Sequence, residues 1–370
     1  MRKTIAILLC TVMCLALFAA CGDKKDDSAA TGSGSSGAGS AEAEFIVALL
    51  YNNFVDDGGW TAEQEKARLA LEAAGIRTLF KENVPESEDS VKVMNDFIAQ
   101  GAKVIIGGSF GYMDYMHKVA AENPDVMFLH LSGYMQRENL YNFHGRSYQT
   151  RFLSGLIAGT ETKTNKLGYI AAYELPEVVR QINAFTLGAQ LANPDVEVYV
   201  IWTHTWYDPA VEKEAGKALV DIGCDVLTEH EAMPTSLEAA EEAGLMSIGY
   251  PADIAGVLPG SNLTAITFNW VNYYVPVCEA IRDGSWEPQD VWGGLDTGIV
   301  RLAPLSDRVS QRSRDLVDEY TAKIINGTYH VFEGPVYSQD GTMMIPAGSF
   351  ASDGELQSMD YLVKGVIGEI

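Results

Sequence analysis

The order of short apolar runs and amphipathic stretches constrains this chain more than any other feature. Runs rich in β-branched and aromatic residues predict strands over 45–51, 78–84, 104–107, 126–131, 167–172, 196–202, 226–229, 246–250 and 263–268. Stretches with helical periodicity lie between them, over 61–74, 87–100, 112–122, 209–222 and 237–243. Strands that alternate with helices at this spacing form parallel sheets with crossover helices. The strands are apolar almost throughout, as expected when helices cover both faces of a sheet.

A helix–glycine–strand pattern occurs twice in the chain, which indicates two similar lobes, each with its own sheet. A helix ends at Gly101 and leads into the strand 104–107, and another ends at Gly223 and leads into the strand 226–229. Glycine at both positions is typical of a helix C-cap. Ligands bind beyond the carboxyl ends of such strands, so two facing lobes predict a cleft. Its walls are predicted from the residues that follow strands: 52–61, Glu82, 109–112, 203–208 and 250–253.

The N-terminus has the pattern of a secretion signal. Arg2 and Lys3 precede the uncharged apolar run Ile5–Ala20, which is shorter than the about 20 residues of a comfortable membrane span. The run ends in small residues directly before Cys21, which resembles a bacterial lipobox, although Phe18 stands where that motif usually has Leu. The resemblance implies a signal peptide over 1–20 and a lipidated Cys21 that anchors the chain outside the cytoplasm, at the cell membrane. An ordinary cleaved signal or an uncleaved anchor is the alternative.

Residues 21–43 are rich in Lys, Asp, Ser, Gly and Ala, and predict a flexible linker that cannot bury enough apolar surface to fold. The body, 44–370, is long enough for two domains. The formal net charge of −24 argues against nucleic acid as a partner. Only Cys224 and Cys278 lie in the body, and we predict two buried thiols rather than a disulfide framework.

One motif suggests an enzyme. Gly107-Gly108-Ser109-Phe110-Gly111 follows a predicted strand and precedes a helix, as in the nucleophile elbow of a serine hydrolase. All six histidines come after Ser109 in the chain, so their order permits a catalytic triad. No His-Gly-Gly-Gly segment is present to supply an oxyanion hole. A glycine-rich turn against a bound ligand is the other interpretation, and it is the one that we favour.

The sequence predicts neither a metal site nor a cofactor. The histidines are scattered and no H-E-x-x-H occurs. The segment Asp56-Asp57-Gly58-Gly59 lacks the alternating oxygen ligands of a calcium loop. No Walker or dinucleotide-binding fingerprint is present.

Aromatic residues recur at the predicted strand ends: Trp60, Phe110, Tyr112, Trp202, Trp206, Tyr207 and Trp270. Each alone is more typical of a core position. Together with nearby carboxylates they favour a flat heteroaromatic ligand, because stacking contributes about 1–3 kcal/mol per base and carboxylates accept from ring amines.

Six segments resemble the basic membrane protein (BMP) family of substrate-binding lipoproteins. They are Asp57-Gly58-Gly59-Trp60, Ser109-Phe110-Gly111, Pro124–Phe128, Arg180–Ala189, Thr205–Pro209 and Ile248–Asp253. The resemblance implies a type I periplasmic-binding-protein fold, in which two doubly wound parallel-sheet lobes are joined by a three-segment hinge. It implies an N-terminal lobe over 44–145 and 269–293, and a C-terminal lobe over 146–268 and 294–370. It also implies that the chain is not an enzyme and that it delivers a purine to an ABC permease.

The family's site residues transfer only in part. The resemblance places Trp60 and Trp206 as stacking walls, with Thr61 where the family has Asn. Asp253 is the one carboxylate kept from a family pair, and Trp270 replaces the lysine that holds ribose. The loss of polar groups on the sugar side favours adenine or a related nucleobase over a nucleoside.

The predicted ligand-binding residues are therefore Asp57, Trp60, Thr61, Glu82, Ser109, Phe110, Trp206, Asp253 and Trp270. The predicted mechanism is closure of the hinge around a ring stacked between Trp60 and Trp206, with no chemical conversion. A sugar- or amino-acid-binding protein of the same fold, a sensor lipoprotein without transport, and the hydrolase are the alternatives.

Overall fold

The computed structural model describes residues 44–370, which form one compact unit, Glu44–Ile370. The predictions of a signal peptide, a lipidated Cys21 and a linker lie outside the described residues. The strands are Ile46–Leu50 (β1), Arg77–Lys81 (β2), Ala102–Gly107 (β3), Met127–Leu131 (β4), Leu140–Gly145 (β5), Lys166–Ala171 (β6), Glu197–Trp202 (β7), Val226–His230 (β8), Met246–Gly249 (β9), Asn262–Phe268 (β10), Val291–Gly293 (β11), Val300–Leu302 (β12), Val336–Tyr337 (β13), Met343–Ile345 (β14) and Val366–Ile367 (β15).

Ten α-helices accompany these strands within the described residues. They are Trp60–Ala73 (α1), Glu88–Ala99 (α2), Met113–Glu122 (α3), Ser147–Glu161 (α4), Pro176–Ala192 (α5), Pro209–Ile222 (α6), Glu238–Ala243 (α7), Val271–Asp283 (α8), Gln311–Ile325 (α9) and Asp353–Gln357 (α10). Between residues 44 and 370, none of these helices combines the length and apolarity needed to cross a bilayer.

The strands form two large sheets, as the predicted fold class requires. The first sheet has the order β11-β5-β4-β3-β1-β2 and is parallel throughout. The second has the order β12-β10-β9-β8-β6-β7-β15, and only its edge strand β12 runs antiparallel to its neighbour. Central strands such as β1 and β8 are buried at every residue because helices cover both faces.

The chain passes between the two sheets three times. It leaves the first sheet after β5, returns after β10, where α8 packs on α1, and leaves again between β11 and β12. These passages lie beside the predicted lobe boundaries at 145, 268 and 293, and the boundaries themselves stay a prediction.

The first and third passages are bonded to each other. The backbone N–H of Arg146 donates to the Gly293 carbonyl at 2.7 Å, and its Nε donates to the Trp292 carbonyl at 2.9 Å. The guanidinium groups of Arg146 and Arg180 lie 4.3 and 4.9 Å from the Trp292 ring centroid. Arg146 also forms a two-bond ion pair with Asp353 of α10, at 2.6 Å for each bond.

All nine predicted strands and all five predicted helices are present, most of them within two residues of the predicted ends. The two glycine turns are confirmed, because Gly101 and Gly223 have φ of 95° and 97°. The predicted burial of Cys224 and Cys278 as free thiols is also confirmed. Strands β5, β11 and β12 and helices α4, α5, α8 and α9 are not among the predicted elements.

Candidate functional site

A cavity lies where carboxyl ends of strands from both sheets converge. It encloses about 570 Å³ of empty space, including solvent at its mouth. Its lining residues are Asn52, Trp60, Ser109, Phe110, Ser132, Leu175, Glu177, Trp206, His230, Glu231, Ala232 and Tyr250. Residues of the first sheet's loops form one wall, which we call the first wall (52–132). Residues of the second sheet's loops form the second wall (175–250).

Trp60 is held in the first wall by the start of α1. The Asp57 carboxylate accepts hydrogen bonds from the backbone N–H groups of Gly59, Thr61 and Ala62, at 2.9–3.0 Å. It thereby satisfies the free donors of the first helical turn. The indole Nε1 of Trp60 donates to the Gly108 carbonyl at 2.7 Å. Its ring packs edge-on against Phe268, with centroids 5.5 Å apart.

The glycine-rich turn after β3 also lines the first wall, and it does not have the geometry of a nucleophile elbow. The Ser109 hydroxyl donates to the Glu86 carboxylate. The ring of His130 contacts the backbone carbonyl of Ser109 at 2.9 Å, through Nε2. Burial lowers the pKa of His130 to about 4. No histidine nitrogen is bonded to the Ser109 hydroxyl in the described part of the chain, so the turn presents a backbone and a ring rather than a triad.

Trp206 belongs to the second wall, in the loop between β7 and α6. Its ring packs edge-on against Tyr173 at 5.3 Å, and its carbonyl accepts a hydrogen bond from Ala232 at 3.0 Å. Asp208 caps α6 by accepting from the N–H groups of Ala210 and Val211. These bonds fix Trp206 and the end of its short loop next to α6.

Glu177 lies in the first turn of α5 and supplies a charged group to the cavity. His144 of β5 contacts its Oε1 through Nε2 at 2.8 Å, so this bond joins the first sheet to the second wall. Burial alone would raise the pKa of Glu177, but the attraction and hydrogen bond of His144, together with the charge of Arg180, lower it to about 2. Glu177 is therefore an anion at neutral pH.

Glu231 follows β8 and has the opposite character. It is 1% exposed, and its Oε1 accepts from the Thr203 hydroxyl at 2.7 Å. Burial raises the pKa of Glu231 to about 9, although the Thr203 bond opposes the increase. The cavity thus contains two carboxyl groups in opposite protonation states at neutral pH.

His230 and Tyr250 are two further lining residues of the second wall. Their ring centroids lie 4.4 Å apart, and the buried Arg151 guanidinium lies 4.8 Å from the Tyr250 ring centroid. Burial and the charge of Arg151 lower the pKa of His230 to about 3, so this imidazole is neutral.

Three cavity residues carry buried polar atoms without a hydrogen-bond partner: Asn52 Oδ1, His230 Nδ1 and Glu231 Oε2. A buried polar atom without a partner costs about 1–3 kcal/mol, and native proteins leave few of them. Such atoms around one cavity are the feature expected of a site that a polar ligand completes.

Four of the predicted ligand-binding residues line the cavity, namely Trp60, Ser109, Phe110 and Trp206. Five do not: Asp57, Thr61, Glu82, Asp253 and Trp270. Asp57 is occupied by the α1 cap, and the Thr61 side chain is fully buried behind it.

The remaining three lie away from the cavity for separate reasons. Glu82 accepts from the Val55 N–H at 3.0 Å and so supports a loop. Asp253 is exposed and accepts from the Ala255 N–H at 3.0 Å. Trp270 is 1% exposed and stacks on Phe268 at 4.8 Å, which makes it part of the core between the sheets.

The second wall contains residues that the sequence did not single out, chiefly Glu177, His230 and Glu231. His230 is the last residue of β8 and Glu231 follows it. In the first wall, Ser132 likewise follows β4. The rule that sites lie beyond strand ends would have found these three had it been applied to every predicted strand. Glu177 lies in a helix, and no sequence signal marked it.

The two walls touch at Gly59. A Cβ atom at this position would lie 1.9 Å from the Ala232 carbonyl oxygen and 3.7 Å from Pro251 Cδ. Only a glycine therefore allows the loop before α1 to approach the second wall this closely.

Comparisons with known proteins agree with this architecture. Residues 45–333 match the family described as "ABC transporter substrate-binding protein PnrA-like". A purine-binding protein of Brucella abortus is 38% identical over 333 residues, which cover 89% of this chain and 95% of that protein. A putative ABC transporter glucose-binding protein of Haloferax volcanii is 36% identical over 338 residues, covering 90% of this chain and 83% of that protein.

Among solved structures, an ABC transporter solute-binding protein from Aeropyrum pernix superposes with a TM-score of 0.68 at 17% identity. It covers 85% of this chain and 98% of that chain. This likeness shows the fold, a two-sheet periplasmic-binding-protein architecture of type I. The chain belongs to the PnrA-like (BMP) family of ABC transporter substrate-binding proteins.

Proposed function

We propose that this protein binds a purine in the cavity between the two walls, and that adenine or a related free nucleobase fits better than a nucleoside. The observation that carries the proposal is the combination of rings and polar atoms in one cavity. Trp60, Phe110, Trp206 and Tyr250 supply aromatic surface, and Asn52, His230 and Glu231 supply unpaired polar atoms. A purine can stack on the rings and form hydrogen bonds along its edges.

The chemistry of the lining favours a base over a base with its sugar. The cavity contains no Lys or Arg side chain among its lining residues, and Trp270 lies in the core rather than at a ribose subsite. The name of the Brucella relative supports a purine in general.

A hexose is the second candidate, because the Haloferax relative is named as a putative glucose-binding protein. Aromatic rings also stack on sugars, so the rings alone do not separate the two classes. The number of polar groups that a ligand requires separates purines from sugars, since each sugar hydroxyl needs its own hydrogen-bond partner in a closed site.

The proposed mechanism is closure around the ligand, followed by delivery to the membrane permease. Closure would bring Trp60 and Trp206 against the ring from the two walls. In the described form the loop at Gly59 contacts the second wall at Ala232, and the bond between His144 and Glu177 connects the first sheet to the second wall.

The test is a thermal-shift and calorimetric screen of the purified body, 44–370, against adenine, hypoxanthine, guanine, adenosine, guanosine and glucose. A ligand that binds only the folded protein raises its melting temperature by mass action. We expect the largest increase with adenine. Binding of glucose in the absence of any response to purines would overturn the proposal.

We also propose that Cys21 carries a lipid that anchors the chain at the outer side of the cytoplasmic membrane. Support comes from the small residues before Cys21 and the linker-like composition of 21–43. We expect Cys21→Ala to move the protein from the membrane fraction to the soluble fraction, with loss of the lipid mass from the mature chain. Unchanged fractionation and mass would contradict the anchor.

A further inference from the structure

Glu231 is a carboxyl group whose surroundings do not support a negative charge. It is 1% exposed, Oε1 is bonded to the Thr203 hydroxyl, and Oε2 has no partner. Within residues 44–370, no Lys, Arg or His nitrogen forms an ion pair with it. A buried carboxylate without a cation is strongly destabilised and takes up a proton instead.

The elements packed around Glu231 add to this effect. Glu212 of α6 and Glu229 of β8 are fully buried carboxyl groups, and each has one unpaired oxygen. The guanidinium of Arg151 of α4 donates to the Thr228 hydroxyl and the Glu229 carbonyl, not to the Glu231 carboxyl group. Tyr169 of β6 faces the same group and is neutral, because burial raises its pKa.

Glu177 provides the contrast within the same cavity. It contacts the His144 ring at 2.8 Å and lies near Arg180, so its negative charge is supported on two sides. A carboxylate can only accept hydrogen bonds, whereas a carboxylic acid also has one O–H to donate.

We propose that Glu231 binds the ligand as a neutral carboxylic acid that donates its Oε2 proton to a ring nitrogen, while Glu177 accepts an N–H of the same ligand as a carboxylate. This inference rests on the proposed purine ligand. Because the Thr203 hydroxyl donates to Oε1, the proton of Glu231 is on Oε2, the unpaired oxygen.

The two carboxyl groups therefore define a ligand class. It is a neutral nitrogen heterocycle that offers a lone pair at one edge and an N–H at another, as a free aminopurine does. A ring that is already protonated lacks the lone pair for Glu231, so its affinity is lower even though the chain is acidic.

The experiment compares Glu231→Gln with the matched variant Glu177→Gln, with adenine as the probe, by calorimetry at pH 7. Glutamine at 231 can accept from Thr203 and still donate to the ring, although an amide is a weaker donor than a carboxylic acid, so we expect a loss of about threefold, smaller than that of the matched variant. Glutamine at 177 removes the charge that accepts the ligand N–H, so we expect a loss of about tenfold or more.

A pH series adds a readout that a purely structural role would not change. The ligand binds the protonated form of Glu231, so the wild-type dissociation constant is constant up to about pH 8. It then increases by about fourfold at pH 9.5, since the pKa of free Glu231 is about 9. Glu231→Gln lacks this increase, and the titration of adenine itself is common to both proteins.

A folded Glu231→Gln protein that loses tenfold or more in affinity, together with a flat wild-type pH series, would overturn the inference and leave the purine site standing. If Glu231→Gln does not fold, the wild-type pH series and the infrared carbonyl band of a protonated carboxyl decide the question. If wild type binds no purine, the proposed function fails, and this inference fails with it.

Discussion

The two walls of the cavity differ in chemistry although they are built by similar sheets. The first wall contributes Asn52, Trp60, Ser109, Phe110 and Ser132, all of which are neutral. The second wall contributes all the ionisable lining residues, which are Glu177, His230, Glu231 and Tyr250. The first wall therefore sets the shape of the site, and the second sets its hydrogen-bonding polarity. The variants below test this division, beginning with the largest expected effect.

Contact between the walls is tested by Gly59→Ala. The new Cβ would lie 1.9 Å from the Ala232 carbonyl oxygen, and backbone cannot move aside as a flexible side chain can. We expect affinity for adenine to fall by about a hundredfold or more, because the closed form becomes poorly populated. Calorimetric titration measures the effect.

The control for this variant is Gly256→Ala, where a Cβ has no neighbour within 4 Å. It should leave affinity within about twofold of wild type. Equal affinity of Gly59→Ala and wild type would mean that the ligand does not require the walls to meet.

The rings of the two walls are compared by Trp206→Ala and Trp60→Ala. Each should weaken adenine binding by about tenfold or more, since a stacked ring contributes about 1–3 kcal/mol. Only Trp60→Ala should also lower the melting temperature substantially, because its Nε1 bonds to Gly108 and its ring packs on Phe268. Unchanged affinity after Trp206→Ala would remove that ring from the site.

The smallest effect is expected from the polar groups outside the cavity. Asp253→Asn and Glu82→Gln should change affinity by less than about twofold, because both side chains bond to loop backbone. A loss of tenfold in either variant would show that the ligand extends beyond the lining residues.

Sequence reasoning recovered the first wall better than the second for a physical reason. Ser109 and Phe110 come directly after the apolar strand β3, and Trp60 begins the helix that follows β1. Apolar strands and the turn residues around them are easy to recognise in a sequence. Glu177 and Glu231 are ionisable residues, which are usually exposed, and only tertiary packing brings the half-buried Glu177 and the buried Glu231 to one cavity.

The missed helices have a related explanation. α4 and α5 are buried on nearly every face, so neither shows a polar stripe that would mark an amphipathic helix. A Cβ at Gly188 would lie 2.1 Å from the Phe152 carbonyl oxygen, so the two helices pack backbone against backbone. Trp270 was assigned to the site by family resemblance, but its packing on Phe268 and Phe143 places it in the core.

The bonds that Arg146 forms with Trp292 and Gly293 have a consequence for the motion of the two sheets. They join the first and third passages, and the passage after β10 is bonded to the third as well, because the Asn269 N–H donates to the Ile299 carbonyl at 2.7 Å. All three passages therefore belong to one bonded joint, so we expect the halves to rotate about a single axis through it, with little freedom to twist. A ligand would then always enter and leave through the same side of the cleft.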